Sequence, residues 1–251
     1  MKWRRALGGP LLLALSLALW HALSAALSSP LLPGPLETAR ALAEVLSSPA
    51  SWGHVGVTAL RTLAGLALGS AVGTALGILT KYSRAVGDAV QFVIYPALES
   101  VPSICWALIF AVWFGLSGVA PTLLIAVAVA PFFIINVWEG VKEVDESLIE
   151  MASVFTRSRL RILRKVVLPM LYPYLFSALR SSVGVAWKVV VVGELFGAVS
   201  GVGYMLNLAY QAYAIDRVFA WVACCAAIIA SIDYGVLGYI DRRYVRRWRR
   251  G

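Results

Sequence analysis

From Ser100 to Trp138 the chain carries no charged residue. An apolar run of that length cannot be hidden as one core helix, and it exceeds the roughly 20 residues that one helical membrane crossing needs. The turn-forming Gly115, Leu116, Ser117 and Gly118, followed by Pro121, divide it. Two spans are therefore expected, over about residues 88–114 and 120–140. Pro96 and Pro102 predict a kinked or broken helix in the first of them. Composition agrees: 60% of the 251 residues are hydrophobic and 14% are charged, and mean hydropathy is +0.80. Soluble domains average about 25% charged residues. The reading is an all-α integral membrane protein.

Four further spans follow from the same logic. Lys2, Arg4 and Arg5 precede an uncharged run. It is longer than the core of about 7–15 residues in a signal peptide, so a retained span over 10–27 is expected. Residues 36–46 read as a short amphipathic surface helix. The span over 55–80 carries Gly65, Gly69, Gly73 and Gly77 at intervals of one helical turn, beside Ala67, Ala71 and Ala75. Lipid gives helices no hydrophobic reason to associate, so such a stripe predicts close backbone packing. Spans over 170–196 and 216–240 complete six, in one transmembrane domain over 1–251. Lys81, Arg84, the basic residues of 141–169 and the arginine tail with Tyr244 and Trp248 then fall on one side. The outer loops on the other side carry few basic residues, Arg40, Arg61 and Arg217 among them. That asymmetry places both termini in the cytoplasm, and the tail beside lipid headgroups rather than nucleic acid.

Residues 141–169 are a polar island in this apolar chain. Ser147 to Glu150 has the form of a capping box. Leu148, Met151 and Phe155 recur at helical spacing on one face. A second short helix over 158–167 sets Leu160, Leu163 and Val167 opposite a row of arginines, and Pro169 is expected to close the unit. An apolar face displayed between spans calls for a docking protein, or for the lipid surface.

The island resembles the "EAA" loop of bacterial ABC-importer permeases, in which Glu-Ala-Ala is followed at fixed spacing by Gly and then by Ile-x-Leu-Pro. Glu150, Ala152, Val166, Leu168 and Pro169 match in register; Met151 replaces an alanine and Thr156 the glycine. The flanks resemble the branch that moves sulfonates, taurine, nitrate and pyrimidine precursors. The resemblance implies a permease subunit whose loop docks in a groove of a separate ATPase. It also implies two such ATPases, a second permease copy and an extracytoplasmic solute-binding protein. ATP and magnesium would be held by the ATPase. A β-branched Thr156 resists the positive φ that glycine allows, so it is expected to sit extended and cap the second helix.

Charges inside apolar runs are costly and mark paths or partners. Glu99, Lys188 and Glu194 are the candidates for lining a translocation path; Arg180 and Asp233 fit structural pairs equally well. Lys188 and Arg180 would suit an anionic solute, while a neutral heterocycle is equally allowed. Trp106, Trp113, Trp187, Tyr204 and Tyr210 are available to stack or to anchor at the interface. His21 and His54 are isolated, and Cys105, Cys224 and Cys225 lie in apolar runs without metal spacing. The chain has no phosphate-binding loop and no catalytic constellation. A secondary carrier that uses its intramembrane acids to bind a coupling ion, and a membrane scaffold, are the rival classes.

Overall fold

The computed structural model describes residues 2–27, 29–232 and 235. Asp233 and the basic, aromatic tail lie outside the described residues. Among the described residues the secondary structure is helical throughout. In chain order the α-helices are α1 (Lys2–Leu27), α2 (Pro35–Ser47), α3 (Pro49–Tyr82), α4 (Arg84–Ala89), α5 (Tyr95–Ser100), α6 (Ser103–Phe114) and α7 (Val119–Lys142). They continue with α8 (Glu146–Phe155), α9 (Arg159–Ile162), α10 (Leu168–Gly197), α11 (Val202–Gln211) and α12 (Ile215–Ala230). Among the described residues three helical stretches are long and apolar enough to cross a membrane: Pro49–Tyr82, Val119–Lys142 and Arg159–Gly197. A fourth, Arg84–Ser100 with Ser103–Phe114, is bent by 88°. The bend falls where Val101 turns extended ahead of Pro102.

Helix α7 is the hub, packing most extensively against α3 and then α10. Its Leu124, Ile125, Val129, Ile134 and Val137 are fully buried. The glycine stripe of α3 lies along it. A Cβ added at Gly65 would stand 2.6 Å from Ile125 Cβ, and one at Gly73 2.6 Å from the Ala130 carbonyl oxygen. Gly77 lies similarly close to Val137. Residue numbers rise together on the two helices, so α3 and α7 run parallel. On the other side α10 runs antiparallel: Gly140 meets Leu171 and Tyr174, and Gly193 meets Pro121.

Two five-residue π-helical turns, Val90–Ile94 and Leu163–Val167, each end two residues before a proline, Pro96 and Pro169. A proline ring clashes with the carbonyl four residues back, and a wider turn gives it room. The Tyr95 and Leu168 amides reach back five residues, to Val90 and Leu163. Pro169 therefore does not close the 141–169 unit. Helix α9, the second π turn and α10 run as one continuous rod, Arg159–Gly197.

Replacing Gly73 by Val forces a branched side chain into the Ala130 and Phe133 backbone wall. We expect it to lower stability in detergent by about 1–3 kcal/mol or more. Gly53→Ala, inside α3 with nothing within 4 Å of the added carbon, should instead raise the thermal midpoint slightly, because alanine is the better helix former.

Candidate functional sites

At one end of the helical block stands α8. Asp145, not Ser147, caps it: the Asp145 carboxylate accepts the Ser147 N–H at 2.8 Å. The helix starts two residues earlier than the sequence pattern suggests because Asp145 is itself a strong cap and is already extended (φ −61°, ψ 116°). The Ser147 hydroxyl and amide hold the Asp145 carboxyl below the usual carboxylate range. A lowered pKa contributes above the unfolded value and is lost as pH falls through the folded one. Acidification through that range should lower the protection factor of the Ser147 amide, its exchange rate relative to the intrinsic rate at the same pH, and the response should vanish in Asp145→Asn.

Helix α8 has two faces. Ile149, with Leu163, packs on a buried cluster of Val137, Val141, Val144, Val167 and Leu171, which joins α8 to the ends of α7 and α10. The other face presents Leu148, Met151 (56% exposed) and Phe155 (84% exposed). Glu150 is exposed as well, while Ala152, Thr156, Leu168 and Pro169 are half-buried. Lys81 at the end of α3 lies 3.9 Å from Glu146. Thr156 is extended (φ −154°). Its hydroxyl accepts from the Ser158 amide at 3.3 Å, and it is Ser158 that caps α9. The connection needs no left-handed residue, so a β-branched side chain is tolerated there.

At the opposite end, α11 occupies most of 197–213, a stretch whose sequence reads as a loop. The first amides of a helix have no partner within it. Here three successive N–H groups at its start are taken by side chains from elsewhere. Gly201 N–H donates to His54 Nδ1 (3.0 Å), Val202 N–H to Thr58 Oγ1 (2.8 Å) and Gly203 N–H to Glu194 Oε2 (3.0 Å). Thr58 Oγ1 in turn donates to the Glu194 carboxylate at 2.9 Å. Arg61 Nη1 pairs with Glu194 Oε1 at 2.8 Å, and the guanidinium also donates to the Ser200 carbonyl oxygen (2.6 Å) and hydroxyl (2.8 Å). The Glu194 side chain is fully buried and that of Arg61 is 12% exposed. A buried carboxylate is tolerated only when its lone pairs are filled. Arg61, Thr58 and Gly203 fill them, and the α11 N-terminus adds a favourable dipole. Gly201 adopts φ 109°, and any side chain there would strike the Glu194 carboxylate.

Arg61 is thus not an outer-loop charge but a member of α3, and His54 is not isolated. Neither sequence neighbourhood announces this, because the partners lie more than 130 residues away. Of the three intramembrane charges singled out from sequence, Glu194 is sealed in this cluster. Lys188 and Glu99 are exposed on α10 and α5. Among the cysteines, Cys224 is buried, Cys225 half-buried and Cys105 exposed.

A hub of packed membrane helices, with a two-faced amphipathic helix at one end and a clamped short helix at the other, is the layout of a transport subunit. The chain belongs to the family described as binding-protein-dependent transport system inner membrane component, which it matches over residues 65–246. It is an ABC-importer permease subunit of the inner membrane. It is 30% identical to the putative aliphatic sulfonates transport permease protein SsuC of Bacillus subtilis (strain 168), over 96% of this chain and 87% of that protein. It is 29% identical to the taurine transport system permease protein TauC of Escherichia coli (strain K12), over 94% and 90%. Its fold is similar to a chain of the MetNI methionine ABC transporter, with TM-score 0.59 and 22% identity over 80% of this chain and 98% of that one. Family membership implies an ATPase and a solute-binding protein as partners, and sets aside the ion-driven carrier and the scaffold.

Arg61→Met leaves the Glu194 carboxylate buried without its counter-charge and should cost about 3–5 kcal/mol of stability. Glu194→Gln in that background should recover part of the loss. Thermal unfolding in detergent reads both.

Proposed function

We propose that this chain crosses the membrane six times with both termini in the cytoplasm, α1 and α12 supplying the first and last crossings. Two copies form the transport unit. Two ATPases dock on the α8 helices and hold ATP and magnesium. A solute-binding protein delivers cargo at the α11 end, and the assembled complex hydrolyses ATP to move it inward. The side assignment rests on Lys81, Arg84 and the basic residues around α9, which gather at the α8 end.

The observation that carries this reading is the two-faced α8. Its Ile149 is anchored in the cluster shared by α7 and α10, while Met151 and Phe155 stand free. A docking partner that pulls on the free face moves the anchored face, and with it the rods that run to the α11 clamp. Glu150, Met151, Ala152, Phe155 and Thr156 form the contact, and Leu168 and Pro169 carry the movement into α10. Lys188 and Glu99 line the path between the two copies; Glu194 holds the outer helix in place. The cargo is a small solute, and the sulfonate and taurine permeases among the relatives make small sulfonates the first solutes to test.

Phe155→Asp places a charge where an apolar anchor should enter a pocket. Truncating such anchors costs roughly 2–4 kcal/mol of binding. We expect at least a tenfold loss of ATPase co-purification, and of ATP-driven uptake into proteoliposomes, with the permease still monodisperse in detergent. Undiminished association would contradict the docking site.

A further inference from the structure

One face of α10 is turned away from the rest of the chain. Ala178, Ser182, Ala186, Val189 and Val190 are buried on the opposite face. Ser177, Ser181, Gly184 and Lys188 recur on the outward face at intervals of three or four residues, so they form a single stripe. Ser177, Ser181 and Lys188 are exposed, and nothing lies within 4 Å of a Cβ placed on Gly184. Lipid does not solvate such a stripe, and a lysine within a membrane span is costly unless it faces a path or a partner. Lys188 has no hydrogen-bond or ion-pair partner among the described residues.

Among the described residues, the acids Glu194 and Glu139 are kept away from it. Glu194, six residues on, is buried and neutralised by Arg61. Glu139 adjoins Gly140, which sits against Tyr174 of α10. Lys188 is therefore about 20 Å farther along the helix axis. A second observation points the same way. Trp106 of α6 packs against the same cluster as Val185 and Val192, the residues one turn either side of Lys188. Its indole N–H makes no hydrogen bond in the structure. Among the described residues this neighbourhood offers a cation and an unused donor, and no ion-pair partner to match them.

We infer that Lys188 makes the path selective for anions: the stripe admits a small organic anion such as a sulfonate or carboxylate, and Lys188 is the residue that discriminates against cations. This rests on the reading that the α10 stripe faces the path. In a two-fold assembly both copies contribute a lysine, so the preference is set twice. Ser177, Ser181 and Gly184 keep the track narrow and polar on either side of the charge.

The test needs no knowledge of the cargo. In the full chain, purified with its ATPase and reconstituted in vesicles, Cys105, Cys224 and Cys225 are replaced by Ser or Ala and Gly184→Cys is introduced. Anionic sulfonatoethyl methanethiosulfonate and cationic trimethylammonioethyl methanethiosulfonate are then compared; each forms a mixed disulfide and releases methanesulfinate. With each rate divided by that reagent's rate on a free thiol in solution, the inference predicts faster modification by the anion at low salt. The anion-to-cation rate ratio should fall by about tenfold in Lys188→Gln and persist in Lys188→Arg. Equal rates whatever stands at 188 would overturn anion selectivity while leaving the path in place. A thiol that reacts with neither reagent would show the stripe to be covered, and would overturn the path reading itself.

Discussion

The close approach of α3 to α7 is the contact on which the other features depend. In water two such helices would be driven together by burying apolar surface. In lipid that drive is absent, and association must come from packing contacts that fall away steeply with distance. Gly65, Gly69, Gly73 and Gly77 bring the α3 backbone against the side chains and carbonyls of α7 over three helical turns. The parallel course of the two helices keeps the stripe in register along that length. On the far side of α7 the packing with α10 is antiparallel, and Gly140 and Gly193 play the same part near its two ends. Three rods thereby become one block.

What the block transmits depends on how its ends are tied. At the α8 end the tie is apolar, through Ile149 and Leu163 in the cluster of Val141, Val144 and Val167. At the α11 end it is polar and charged, through Arg61, Glu194, Thr58 and His54. The difference fits the chemistry of each place. A docking helix has apolar surface to spare and can be anchored by it. A short helix whose first amides are buried has to be held by acceptors. The π turn ahead of Pro169 belongs to the same logic: it lets a proline sit inside a continuous rod, so that a displacement of α9 is passed to α10 without a hinge between them.

Much of this was legible in the sequence, for identifiable reasons. Composition and the uncharged run over 100–138 dictate a helical membrane protein, because local hydropathy is what lipid selects. The amphipathic face of Leu148, Met151 and Phe155 and the glycine spacing of α3 are periodic, so one helix suffices to see them. The α11 clamp was not legible. Its members, His54, Thr58, Arg61, Glu194 and Ser200, come from distant segments, and Arg61 read as a loop charge because it stands near the start of its helix. The continuity through Pro169 was missed because a proline is locally a helix stop, and only the wider preceding turn removes the clash. Asp145 was passed over as a cap because the Ser147–Glu150 pattern two residues later looked complete. The contrast between exposed Lys188 and buried Glu194 on one helix needs the neighbours of α10 to be known.

The central claim is that α3, α7 and α10 move as one body between the docking helix and the outer clamp. Spin labels at Leu60 on α3 and Tyr172 on α10, both well exposed, give an intrachain distance across the block by double electron–electron resonance. In the assembled transporter that distance should be the same without nucleotide and with ATP trapped, while distances between the two copies change. A change in the intrachain distance between the two states would show that the rods slide past one another, and would contradict the account.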